Sequence, residues 1–291
     1  MFNIVRKIYD RQPASVKKNI RFLYFYILKT YKNFINFIIR KSRKIKRIYA
    51  KENFNNSYSF VILCVKNIAY VDLAIKNINS LHYFNPTHTF TIHCDDICYF
   101  YLLKKIKWLD YKDKTIILNI YKSENKPWQL FKIETLITAS KNDQILIDAD
   151  EIWHSDIEIN FDKIIFQVCA RKMKDDETES ALINRLFNKN EWLEFNHYVT
   201  GFVSIPSRLM TKILANDIRN YANKIIYGEL NFLNDSQQKY TIRISEELAI
   251  NFAVQNNYSL NTISTLKIND PRGDKNILQS LYYGCANDIF K

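Results

Sequence analysis

Near the middle of the chain an apolar run, Ile145-Leu146-Ile147, ends in Asp148-Ala149-Asp150-Glu151. An apolar strand cannot carry carboxylates through a core, so it must stop there, at a sheet edge, with its acids in a crevice. Side chains alternate along a strand, and carboxylates two residues apart therefore point the same way. Their repulsion raises a pKa unless a cation lies between them. A divalent ion held against a phosphate meets that demand. Mg²⁺ or Mn²⁺ takes a few carboxylates and leaves its other positions to substrate oxygens.

The elements that must position these acids follow from periodicity. Phe60–Val65 is a continuous apolar run of the kind buried on both faces of a parallel sheet. Helical spacing follows at Val71, Ala74, Ile75, Ile78 and Leu81. Thr89–Cys94 is a second strand closed by Asp95-Asp96, 97–109 a helix, and Thr115–Tyr121 a third strand. Pro127 opens a helix through Trp128, Lys132 and Ile137, and 144–147 is the fourth strand. Strands alternating with helices predict an α/β fold with an open, mostly parallel sheet and right-handed crossovers. Ligands bind such sheets beyond the carboxyl ends of the strands, where Asp148 and Asp150 fall.

Downstream the pattern loosens. Residues 163–169 read as a strand, 175–179 as a solvated acidic loop, and 198–206 as a strand in which Gly201 admits a close approach. Ser207 caps a predicted helix to about Tyr221, and Ser245 is the predicted N-cap of a helix opening with Glu246-Glu247. Lys267, Asp270, Arg272, Asp274 and Lys275 fall in a polar loop. The ordinary readings of the remaining polar residues are structural: Lys132 on a solvated helix face, Glu246 and Glu247 as first-turn acids favoured by the helix dipole, His154 and His197 as packing residues.

Charge divides the chain in two. Residues 1–51 hold 15 Lys/Arg and a single acid, leaving 27 Lys/Arg and 29 acids to 52–291. A basic, aromatic, helical extension (1–51) therefore precedes a nearly neutral body (52–291). Within the extension, Phe22–Leu28 and 33–39 are apolar runs too short to span a bilayer, and no signal peptide precedes them. Aromatics beside Lys and Arg suit an anionic membrane surface, or an ordinary amphipathic helix packed on the body with its charges solvated. Nucleic acid is disfavoured, because phosphate binding needs no run of seven large hydrophobes. With 47% hydrophobic residues the chain can bury a core, and its five scattered cysteines indicate a reduced, cytoplasmic setting. Cys64 and Cys169 read as buried small hydrophobes.

Four segments, "KPWQLFKIETL" (126–136), "ILIDADEIW" (145–153), "YVTGFVSIP" (198–206) and "SEELAIN" (245–251), follow one another in an order that resembles the nucleotide-sugar glycosyltransferases of the GT-A fold. The resemblance spans 57–251 and implies transfer of a sugar from a nucleoside-diphosphate donor to a glycan or glycolipid acceptor. It implies that Asp148 and Asp150 hold Mn²⁺ or Mg²⁺ on the donor diphosphate, Asp150 the more directly. Lys132 would lie near the donor, Lys66 and Asn67 would border the base, and Gly201 the sugar or acceptor. Glu246 or Glu247 would serve as the base of an inverting transfer. Many such enzymes add a late histidine to the metal, whereas the last one here is His197; Asp270 or Asp274 would substitute, or the site uses fewer ligands.

Joined to the basic extension, this reading places the protein on the cytoplasmic face of a membrane, in bacterial surface polysaccharide or lipopolysaccharide synthesis. Aspartate-nucleophile phosphatases want their paired aspartates on the first strand, not the fourth. Polymerase-β-like nucleotidyltransferases want a Gly-Ser turn upstream, where this chain has Ala139-Ser140. The alternative, a membrane-surface or nucleic-acid-binding protein without catalysis, explains the extension and leaves the crevice acids unused.

Overall fold

The apolar runs become strands of one mixed sheet. The computed structural model describes residues 56–122, 126–153, 157–186, 195–228, 230–266 and 278–280. The basic extension, the loop 267–275, His154 and Cys285 lie outside the described residues. Element order is β1 (Ser59–Cys64), α1 (Ala69–Phe84), β2 (Thr89–Asp95), α2 (Asp96–Lys105), β3 (Thr115–Tyr121), α3 (Trp128–Lys141), β4 (Ile145–Ile147) and β5 (Glu151–Trp153). There follow β6 (Ile164–Lys172), α4 (Glu177–Leu186), β7 (Asn196–Ser204), α5 (Lys212–Tyr227), α6 (Asp235–Arg243), α7 (Ser245–Asn257), β8 (Ile263–Thr265) and β9 (Leu278–Ser280).

The sheet runs β3-β2-β1-β4-β7-β6-β8, with β5 and β9 paired separately. β1 to β4 are mutually parallel, β7 lies antiparallel between β4 and β6, and β8 is parallel to β6. The fold is α/β, with a mostly parallel sheet flanked by helices. Alternation divides the core. Leu146 and Val203 pack with Leu136, Ile218, Leu248 and Phe252 of α3, α5 and α7. Ile145, Ile147 and Phe202 pack on the other face with Ile78 and Leu81 of α1.

Four expectations need correction. The acids at 175–179 are not a loop: Asp176 Oδ1 accepts from the amides of Thr178 and Glu179 and starts α4, and Glu179 is fully buried. Ser207 caps nothing; its amide and hydroxyl bond Asp143, and Thr211 caps α5 through the amide of Leu214. Ser245 is the first residue inside α7, behind Ile244, because α6 runs almost directly into it. Cys169 is exposed, since the outer half of β6 leaves the core.

Candidate active site

β4 is the central strand, and its carboxyl end is where the acids lie. The Asp148 amide donates to the Gly201 carbonyl (2.8 Å), which continues the β4–β7 ladder by one residue. The Asp148 carbonyl accepts from Asn77 Nδ2 (2.6 Å), a buried amide on α1. Asn77 Oδ1 receives the Trp153 indole N–H (3.1 Å), and Ser80 Oγ receives the Trp153 amide (3.0 Å). α1 thus ties down both ends of the turn 148–153. Trp153 is core.

Lys132 is not solvated: on α3 it is 4% exposed. Its Nζ lies 2.7 Å from Asp148 Oδ1, 3.0 Å from Oδ2 and 3.6 Å from Glu246 Oε1. Burial favours loss of its proton, but Asp148 and Glu246 outweigh burial and raise its pKa above the ordinary lysine value. Around it the acids are held in the opposite sense. Burial, then the charge of Asp148, pushes Asp150 up to about 6. Burial, then Asp148 and Asp150, pushes Glu151 up to about 8. Burial pushes Glu246 up to about 7 although Lys132 pulls it down. Glu151 Oε2 and Glu246 Oε2 are buried without a hydrogen-bond partner. Four carboxylates therefore share one lysine.

Gly201 has a steric reason. β7 bulges, with residues 200–202 opposite Gln167 alone. A Cβ at position 201 would collide with the Gln167 side chain and come within 2.7 Å of Glu151 Oε1. What approaches Gly201 is this pair of side chains, so the glycine makes room for Glu151 beside Asp148. Lys66 and Asn67 lie at the carboxyl end of β1, on the same side of the sheet. The Lys66 amide donates to buried Asp95 Oδ2 (2.7 Å), its φ is 68°, and its Nζ lies 5.6 Å over the Phe131 ring, next to Lys132. Asn67 Oδ1 accepts from the Ala69 amide (2.9 Å) and turns the chain into α1.

Glu247 faces elsewhere. Its Oε1 meets His197 Nε2 at 2.6 Å, and its Oε2 accepts from the Thr200 amide (2.9 Å) and hydroxyl (3.2 Å). His197 Nδ1 meets Glu179 Oε1 at 2.6 Å, and Glu179 pairs in turn with Arg171, which also donates to Tyr240 Oη (3.1 Å). Burial opposes a charged His197, yet the two flanking carboxylates prevail and hold it at about 9. The imidazolium donates from both nitrogens. Glu247 is itself held below the ordinary value: burial raises it, and His197 more than reverses that.

No family model matches the chain, and no curated protein matches it in sequence. Solved structures to which it is similar are glycosyltransferases. The glycosyltransferase GlyE of Streptococcus pneumoniae is 14% identical with a TM-score of 0.43, over 81% of this chain and 50% of that one. The bifunctional glycosyltransferase WbbM is 11% identical with a TM-score of 0.41, over 74% and 40%. The galactosyltransferase LgtC, solved with donor and acceptor sugar analogs, is 10% identical with a TM-score of 0.42, over 72% and 73%. The chain spans about half the length of the first two.

Among the described residues no three His, Cys, Asp or Glu side chains converge on one point. Within them a divalent ion would take Asp148 and Asp150. That pair fits such an ion in donor type, hard oxygens, and in charge, since the acids outnumber their lysine. Two protein carboxylates beside phosphate oxygens is a usual complement for Mg²⁺.

Periodicity misses the residues that aim the site. Glu247, Asn251 and Gln255 recur every four residues on α7 and bind the backbone of alternate β7 residues. Thr200 N bonds Glu247, Tyr198 N and O bond Asn251, and Asn196 N and O bond Gln255. Four helical residues rise about 6 Å and two strand residues about 6.6 Å, so the ladders stay in step. Asn77 left a signal: an amide inside the apolar stripe of α1.

Proposed function

We propose that the protein is a glycosyltransferase that moves a sugar from a nucleoside-diphosphate donor to a glycan or glycolipid acceptor. The observation that carries this reading is the excess of carboxylates around Lys132 at the carboxyl end of the central strand. Buried acids with raised pKa values, two of whose oxygens lack a hydrogen bond, suit a ligand better than they suit stability. Asp148 and Asp150 would hold Mn²⁺ or Mg²⁺, which supplies stabilisation of the charge that develops on the departing diphosphate. Lys132 fixes Asp148 in place. Lys66, over Phe131, borders the donor side.

For the base that an inverting transfer requires, Glu246 is the better of the two glutamates. It keeps a free oxygen, whereas both oxygens of Glu247 are engaged. Attachment of the basic extension to an anionic membrane, and a place in bacterial surface polysaccharide synthesis, belong to the same reading.

The test is a donor screen with the full chain, a panel of nucleotide sugars, Mn²⁺ or EDTA, and detection of released nucleotide. Release from one donor that EDTA abolishes supports the reading. A folded protein that binds and turns over none of them contradicts it.

A further inference from the structure

α2 is apolar on both sides. Its inner side, Cys98 and Leu102, is fully buried against the sheet. Its outer side carries Ile97, Phe100 and Leu103, which are 51%, 62% and 44% exposed, and the following turn adds Trp108 at 52%. At helical spacing Ile97, Phe100 and Leu103 lie on one face with exposed Lys104 beside them, and exposed Lys107 follows in the turn next to Trp108. Lys107 Nζ lies 5.8 Å over the Trp108 ring. Lys105 is turned aside to Asp72 (3.1 Å), and the one acid of the face, Asp96, accepts from Asn119 (2.7 Å) at its end. Large apolar side chains clustered on a surface mark an interaction site.

We infer that the outer face of α2 is a second membrane contact, which seats Ile97, Phe100, Leu103 and Trp108 among the acyl chains of an anionic bilayer with Lys104 and Lys107 at headgroup level. Charge selects the partner. Lysines interleaved with Phe, Leu and a Trp suit the boundary between headgroups and acyl chains, where aromatic rings settle and anionic lipids attract ammonium groups. α2 begins at the carboxyl end of β2, the end of the sheet that bears Asp148. A bilayer against α2 therefore stands beside the crevice. The inference rests on this face alone, not on sugar transfer, so a failed transfer assay leaves it standing.

The test uses the full chain and vesicles of phosphatidylcholine with or without phosphatidylglycerol, at low salt and at about 1 M salt, where screening shortens to about 3 Å and silences the charges of the basic extension, which wild type and variants share. Phe100→Glu with Leu103→Glu should lower partition onto phosphatidylglycerol vesicles at least tenfold at high salt, with an unchanged melting temperature. Ile213→Glu, which alters an exposed apolar residue on α5, should leave partition unchanged. Equal partition of wild type and the double variant overturns the inference, as does an equal loss in Ile213→Glu. Wild-type dimers in lipid-free solution that the double variant splits would assign the face to a second copy of the chain and overturn it as well.

Discussion

Glu246 and Glu247 are neighbours on the first turn of α7, and their carboxylates live in opposite settings. Glu247 belongs to a buried chain in which Glu179 and Glu247 face the cations His197 and Arg171. There each acid meets a cation, Asp176 joining Glu179 on Arg171, and both oxygens of Glu247 are engaged. Glu246 belongs to a group in which it, Asp148, Asp150 and Glu151 share Lys132. There acids outnumber the base, and two oxygens lack partners. One helix turn thus holds a carboxylate that secures the fold and another that the proposed function assigns to a ligand. The ladder of Glu247, Asn251 and Gln255 on β7 fixes the position of the second through the first.

Substitutions should separate the two regions. The largest effect is expected for Asp150→Asn, which should reduce metal-dependent nucleotide release to background in the donor assay without lowering the melting temperature. Glu246→Gln should follow, with kcat reduced roughly 10²–10⁴-fold as for loss of a general base, KM little changed, and stability largely kept, since Oε2 has no hydrogen bond to lose and the amide oxygen can still face Lys132.

His197→Ala should reverse that pattern. It removes the cation between two buried carboxylates, leaving Glu179 to Arg171 and Glu247 to Thr200, and should cost about 3–5 kcal/mol in denaturant unfolding. pH offers a gentler form of the same test. The folded-state pKa of His197 is raised from 6.5 to about 9, so its stabilising contribution is complete below about pH 6.5 and is lost as pH rises through about 9. That loss should be absent from the variant. Smallest is Gln255→Ala, at the far end of the ladder, where the Asn196 backbone groups lose a partner at about 1 kcal/mol.

β1 and β4 were legible because a strand buried on both faces reads as an unbroken apolar run, and β2 and β3 by their alternation with helices. Asp148 and Asp150 stood out as charges that end an apolar run, whereas Lys132 read as part of a solvated helix face. The second half hides its logic in polar pairs distant in sequence. Glu179 looks like one more acid of a surface loop until Arg171 and His197 close on it. Ser245 has the chemistry of a cap, but α6 ends at Arg243 and leaves it no room. The choice between Glu246 and Glu247 rests on His197 and Thr200, about 50 residues upstream, and local pattern carries no trace of it. Gly201 reads in the sequence as a place where a ligand or backbone approaches, and side chains stand there in the structure. Only the bulge shows that Gln167 and Glu151 are what approaches.

The central claim, that the acids around Lys132 await a cation brought with a diphosphate, is tested most directly by Mn²⁺ binding. Free Mn²⁺ followed by electron paramagnetic resonance, with and without a nucleoside diphosphate, reads it without any need for turnover. The account predicts a single Mn²⁺ per chain that binds tightly only when the diphosphate is present and is lost in Asp148→Asn and Asp150→Asn. Diphosphate-dependent Mn²⁺ binding that survives both substitutions, or no such binding to the folded wild-type chain, would contradict it.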